Sequence, residues 1–272
     1  MSALDQVAQW PVANAAAAVV AEDGQVLATV GDDQREYHLA SVTKLLTAYT
    51  VLIAVEEGVF ELDTPAGPEG ATVRDLLAHT AGVAFSQRKV MAQPRTRRLY
   101  SSAGFDILAE ALAEHADIDY ERYHQEALLT PLGMTSTKLA GSPGADGYST
   151  AADLVRFTKE LQRPTLVNPQ TMAEATTVQF PGLNGVLPGF GHQRPNDWGL
   201  GFELRDHKDP HWTGSNSSPR TFGHFGQSGT FLWVDPDAGL GCVALTDRDF
   251  GPWAKEVWPR FTDAVLAEFS RR

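Results

Sequence analysis

A chain of 272 residues in which 43% are hydrophobic is long enough to bury a substantial core, as one large domain or two interleaved ones. Its formal charge of −12 argues against a nucleic-acid partner, since phosphate recognition needs a basic surface. Cys242 is the only cysteine, which excludes an intrachain disulfide and fits a reducing compartment.

In chain order, the N-terminal stretch has no Lys or Arg before Arg35 and so lacks the basic region that opens a secretory signal. Neither AAAAVVA nor the later LLTAYTVLIAV is long enough to cross a bilayer. The expectation is a cytoplasmic protein with no membrane partner. AAAAVVAEDGQVLATVG reads as two strands around a turn at Asp23 and Gly24. A helix is expected from near Ser41 to Gly58, and a second over TVRDLLAHTAG, opened by the capping-box pair Thr72 and Asp75 and closed by Gly82. SSAGFDILAEALAEH carries Phe105, Leu108, Ala111 and Leu112 on one helical stripe. DYERYHQEALLTPLG and STAADLVRFTKELQ add two helices, the latter with Thr150 and Asp153 at capping-box spacing, and Asn168-Pro169 opens a short one. Beyond residue 190 the pattern becomes that of an antiparallel meander: WGLGFELRD, RTFGHFGQ, GTFLWVDPDAG and LGCVALTDR, with a turn at Pro236–Gly239. FTDAVLAEFSRR is a closing helix, with Pro259 at its start or at a kink. Strands at both ends and helices between them imply an α+β fold. One mixed antiparallel sheet is built from both chain ends (1–58 and 190–272) and flanked by helices, with a mainly helical subdomain inserted over 59–189.

The chemistry concentrates at Ser41 and Lys44. Three residues apart on a helix, they share a face, and the residues that follow to Val55 are nearly all apolar, as in a helix buried on every side. Burial lowers the pKa of a lysine, and a serine beside such a lysine is an activated nucleophile. The helix start also offers free N–H groups to an oxyanion. Ser-x-x-Lys alone is a loose pattern. A serine cap followed by a snorkelling lysine would look the same, and Ser86–Lys89 repeats the spacing in a polar stretch by chance.

Context narrows the reading. ASVTKLLTA, DLLAHTAGV, YSSAGFDILAEAL, PLGMTST, GYSTAADLVRF, WGLGFEL and GHFGQSGTFLWVDPDAGLGCVALTDR together resemble the serine β-lactamase and penicillin-binding-protein superfamily, in its class C-like branch. The likeness covers nearly the whole chain in order and implies a β-lactamase/transpeptidase-like fold. It also implies that Ser41 is the acylated nucleophile, that Lys44 takes or relays its proton, and that Tyr100 is the tyrosine of the second motif, with Lys44 favouring its phenolate. Ser102 stands where that motif usually has asparagine. His224-Phe225-Gly226 replaces the usual Lys-Thr-Gly, which makes His224, Phe225 and Gly226 candidates for substrate binding. The backbone N–H groups of Ser41 and Gln227 are implied as the oxyanion hole.

Both departures touch substrate recognition more than the nucleophile. A histidine is only partly charged near neutrality, where the family's lysine is permanently cationic, and serine lacks the donor–acceptor amide of asparagine. The expected activity is hydrolysis of a small ester or amide, of esterase or D-peptidase type, with a small-molecule or peptide-like substrate and no metal or cofactor. A β-lactamase or penicillin-binding DD-peptidase is the alternative within catalysis, and an inactive binding protein the alternative outside it. The basic loop with Arg88, Lys89, Arg95, Arg97 and Arg98 reads as a solvated loop, with steering of an anionic substrate as the sharper reading. His207 and His211 have metal-ligand spacing, but Pro210 between them breaks the helix that would align them, so the stretch reads as a polar loop. Oligomeric state is not legible.

Overall fold

The computed structural model describes residues 2–270. Strands β1 (Ala15–Ala21) and β2 (Val26–Val30) form the expected hairpin, with Gly24 at φ +84° in its turn. A two-residue strand β3 (Tyr37–His38) leads through a tight 3₁₀ turn (Ala40–Val42) into α1 (Thr43–Glu56), which ends where Gly58 takes φ +75°. Burial on α1 runs unbroken from Thr43 to Ala54, so it is the central rod of the molecule and has no amphipathic stripe.

α2 (Val73–Leu77) has the full Thr72–Asp75 capping box but is one turn and a fraction, shorter than expected. His79 at φ +58° and Gly82 at φ +79° turn the chain away before a longer helix can form. α3 (Ala103–Ala116) and α4 (Tyr120–His124) follow, the latter continuing as a π-helical turn to Leu129. Short strands β4 (Lys138–Leu139) and β5 (Gly147–Ser149) pair with β3 in a small three-stranded sheet. In α5 (Ala151–Gln162) only half of the expected box exists: Thr150 caps the N–H of Asp153, while the Asp153 carboxylate goes to Ser136, Thr137 and Arg156. α6 (Pro169–Ala175) begins at Asn168 as expected, and β6 (Gly185–Leu187) and β7 (Gly191–Gln193) make a separate hairpin.

β8 (Glu203–Leu204), β9 (Phe222–Gly226), β10 (Thr230–Asp235) and β11 (Leu240–Thr246) complete the main sheet, whose order is β2-β1-β11-β10-β9-β8 with every pairing antiparallel. Strand alternation divides its core. Leu232, Val234, Val243 and Leu245 face the layer of α1 and α5, whereas Phe231, Trp233, Cys242 and Ala244 face α7 (Pro252–Phe269). The closing helix therefore starts at Pro252, seven residues before Pro259, which sits inside it; Arg271 and Arg272 lie outside the described residues. α5 belongs to the segment expected as an insertion, yet it packs on the sheet itself. A Cβ at Gly241 would stand 2.4 Å from Thr158 Cγ2, so glycine is what lets that helix approach. No helix among the described residues is long and apolar enough to cross a membrane.

Candidate active site

Ser41 lies in the 3₁₀ turn, two residues before α1, and the chain arrives there under constraint. Ala40 has φ +45°, a left-handed conformation that costs a non-glycine residue about 1 kcal/mol or more. Tertiary bonds hold it there. Ser228 Oγ donates to the carbonyl of His38 at 2.6 Å, Thr230 Oγ1 donates to that of Leu39 at 2.9 Å, and the Leu39 N–H donates to Gly147 O at 2.8 Å. The tip of the β9–β10 hairpin is thus stitched to the turn that presents the serine. Gly226 completes the contact: a Cβ there would stand 2.2 Å from Leu39 O, closer than any side chain permits. Gln227, the next residue in the chain, bonds Phe250: its carbonyl accepts the Phe250 N–H at 2.7 Å.

Tyr100 donates its hydroxyl proton to Ser41 Oγ at 2.7 Å, and Lys44 Nζ lies 3.4 Å from the same oxygen. Lys44 is 0% exposed. Its ammonium donates to Ser102 Oγ at 2.9 Å and to the carbonyl of Gly144 at 2.6 Å, so all three of its N–H directions end on neutral oxygens. Burial lowers its pKa to about 7, with the more distant Asp106 carboxylate working in the other direction. Close to neutrality, then, the amine form that accepts a proton is within reach. For Tyr100 the expected shift toward phenolate does not occur. Burial pushes its pKa above the ordinary tyrosine value, with only the bond to Ser41 pulling back, so it stands as a neutral phenol that donates. Between the two, Lys44 is the group able to accept the serine proton.

Ser102, a candidate for substrate contact, is tied to Lys44. His224 and Phe225 need a larger correction. His224 is 4% exposed, and its ring packs against Tyr100 and Trp198 with centroids at 5.6 and 5.4 Å. Burial, helped by the nearby Lys44 charge, lowers its pKa to about 3, so it is a neutral imidazole throughout the physiological range. It cannot supply the cation that the resemblance implies at the third motif. Phe225, on the opposite face of β9, packs among Phe250, Trp258 and Trp212 in the core under α7. Its contribution is to the core.

Three contributors went unread in the sequence. Gly144 supplies its carbonyl to Lys44 from 100 residues downstream. Its loop is docked along α1: Thr47 Oγ1 donates to Pro143 O at 2.7 Å, and the Gly147 N–H donates to Thr43 Oγ1 at 2.9 Å. Asp106 accepts from Ser142 Oγ in the same loop. His79, quoted within DLLAHTAGV but given no role, accepts the Ser101 N–H on Nδ1 at 3.1 Å, and its carbonyl accepts the N–H of Leu99 at 2.8 Å. It therefore holds the Tyr100 segment from both sides. Its left-handed backbone was the missing signal, because that conformation follows from the packing of a whole turn.

The basic loop is less solvated than its composition suggested. Arg98 is buried and donates to the carbonyls of Ala78, Gln179 and Phe180, and Arg95 pairs with the buried Asp75 at 2.7 Å. Arg88 pairs with Glu110 at the surface. The stretch expected as a polar loop is one, with His207, Asp209 and Pro210 exposed, but Lys208 and His211 turn inward from it. His211 bonds Glu203 and Thr213 through its two ring nitrogens, and the buried Lys208 bonds the other Glu203 oxygen. Among the described residues, no group of three or more His, Cys, Asp or Glu is placed to hold a metal ion.

Comparison with known proteins assigns the family and the fold. The family model described as Beta-lactamase matches residues 4–267. A crystal structure of a β-lactamase from Mycobacterium bovis is 57% identical, covers 99% of this chain and 100% of that one, and superposes with a TM-score of 0.98. At 16% identity, and so as likenesses of fold alone, stand two further structures. EstCE1, a hydrolase with promiscuous acyltransferase activity, covers 97% of this chain and 96% of that one, with a TM-score of 0.80. A simvastatin synthase mutant from Aspergillus terreus covers 97% and 93%, with a TM-score of 0.79. Among curated proteins, a D-alanyl-D-alanine carboxypeptidase/endopeptidase of Escherichia coli K12 is 27% identical over 142 residues, a stretch that spans 39% of this chain and only 37% of that enzyme.

Proposed function

As this chain belongs to the β-lactamase family of serine hydrolases, we propose that it cleaves a small ester or amide through an acyl-enzyme on Ser41. The observation that carries the reading is the position of Ser41 Oγ, 2.7 Å from a phenol and 3.4 Å from a buried lysine that has no carboxylate partner among the described residues. The neutral amine of Lys44 takes the serine proton as Oγ bonds to the carbonyl carbon. The backbone N–H groups of Ser41 and Gln227 face the oxygen that becomes negative, and each such donor is worth roughly 3–4 kcal/mol in a transition state. As the tetrahedral centre collapses, the carbon–heteroatom bond breaks. The leaving alcohol or amine takes the Tyr100 proton, which Lys44 then replaces. Water repeats the sequence on the acyl-enzyme and releases the acid.

Esters and simple amides rank above penicillins in this reading because the position of the family's third-motif lysine is held by the neutral, buried His224. Turnover of β-lactams is the second reading, favoured by the name of the M. bovis relative at 57% identity. Intact-protein mass spectrometry after exposure to a fluorophosphonate checks the nucleophile. One adduct on the wild type and none on Ser41→Ala is the expected result, and an unlabelled wild type would leave a binding protein as the better description. Hydrolysis of p-nitrophenyl esters, nitrocefin and a D-Ala-D-Ala peptide by the untreated wild type, with Ser41→Ala as control, then separates the two readings.

A further inference from the structure

Large apolar side chains rarely stand exposed together without a ligand to cover them. Of the five so exposed among the described residues, Phe85, Met91 and Val186 line a single cleft of about 760 Å³, and Val90 is bridged to Val83 in its wall. The cleft is of drug-ligand size. It runs from Tyr100 between two walls, the turn of residues 83–91 and the β6–β7 hairpin. Phe85 stacks on Tyr100 at 5.8 Å, and the Phe85 carbonyl accepts the N–H of Ser102, so this apolar wall begins beside the nucleophile.

Charge in the cleft runs against the rest of the molecule. The protein carries 34 acidic and 22 basic residues, yet the lining contains Arg97, Arg98, His192 and Arg194 and no carboxylate. Arg98 is turned inward onto carbonyls. Arg97 and Arg194 are exposed, and neither forms an ion pair among the described residues; Arg97 reaches only the carbonyl of Met91, at 3.2 Å. Two guanidinium groups at an apolar cleft with no acid to neutralise them make a receptor for an anion, and a guanidinium fork fits carboxylate and phosphate alike.

We infer that this cleft receives an amphiphilic anionic substrate, whose apolar body lies on Phe85, Met91 and Val186 and whose carboxylate or phosphate is held by Arg97 and Arg194. The assignment rests on the serine-hydrolase reading for its chemistry but not for its binding. It also narrows the loop-wide steering weighed as the sharper reading of the sequence, since Arg88, Arg95 and Arg98 are engaged elsewhere.

Calorimetry on Ser41→Ala separates binding from turnover, with monomethyl suberate, octyl phosphate and the neutral dimethyl suberate as probes. At least one anionic probe is expected to bind about tenfold or more tighter than dimethyl suberate, and the tighter of the two names the anion. In the Arg97→Gln/Arg194→Gln double variant that advantage should vanish while dimethyl suberate binds as before. Phe85→Ser/Val186→Ser should weaken all three probes together. Equal binding of charged and neutral probes, or an anionic advantage untouched by the double arginine variant, would overturn the inference. An arginine-dependent advantage in a protein that neither hydrolyses monomethyl suberate nor takes a fluorophosphonate adduct would uphold the cleft and sink the hydrolase reading.

Discussion

Lys44 and Lys208 are both buried, at 0% and 3% exposure, and burial lowers the pKa of each, yet the two sites are built on opposite principles. Lys208 donates to the Glu203 carboxylate and to the carbonyls of Leu204 and Asp197, and Glu203 draws its pKa back up. Around that pair, His211 and Trp212 bond the second Glu203 oxygen, so every charge is answered by a partner. Among the described residues Lys44 meets only neutral oxygens, from Ser41, Ser102 and Gly144, and the carboxylate that acts on it is the more distant Asp106. A compensated lysine stays charged and holds structure together. An uncompensated one is poised to lose its proton, which is what a general base must do.

Removing each amine in turn tests the contrast. Lys44→Met should lower kcat/KM on any ester the protein cleaves by about 10²–10⁴-fold, the usual worth of acid–base catalysis. Its unfolding free energy in urea should stay within about 2 kcal/mol of the wild type, since no buried charge is left unpaired. Lys208→Met should do the reverse, costing about 3–5 kcal/mol of stability by stranding the Glu203 carboxylate. Adding Glu203→Gln should recover much of that loss. If Lys208→Met unfolds no more easily than Lys44→Met, the distinction between them is broken.

The smallest effect is the sharpest in sign. Lys44 is protonated below its pKa of about 7 and then cannot accept the serine proton. Thus kcat/KM should fall about tenfold per pH unit on the acid side and level off above it. Asp106 raises the pKa of Lys44, so Asp106→Asn should move the inflection to lower pH, which a pH–rate profile of both proteins would reveal. A profile flat from about pH 5.5 to 8 would remove Lys44 from the role of base.

Much of the fold was legible because local rules were obeyed. Gly24, Gly58 and Gly239 sit at positive φ in the turns or helix ends read from them, and Thr72 makes its capping box. Reading failed where a distant partner decided. The second helix was cut short by the left-handed His79, and of the two readings of Pro259 only the position inside a helix stands, on a helix whose Trp253, Trp258 and Phe261 pack in one core. At the site, Ser41, Lys44 and Tyr100 were legible as residues. The neutrality of His224, the inward turn of Arg98 and the burial of Lys208 were not, because charge state depends on what surrounds a side chain.

By itself the sequence determined which chemical groups are present and which of them share a helical turn, for spacing along the chain translates directly into spacing on a helix. It thereby set Ser41 and Lys44 one turn apart at the mouth of an apolar helix. Only the tertiary structure decided how those groups behave. The carbonyl of Gly144, the hydroxyl of Ser102 and the absence of a contacting carboxylate make Lys44 a base, while the carboxylate of Glu203 keeps Lys208 an ion. Desolvation and the arrangement of distant dipoles belong to the packed chain, and no local stretch of sequence carries them.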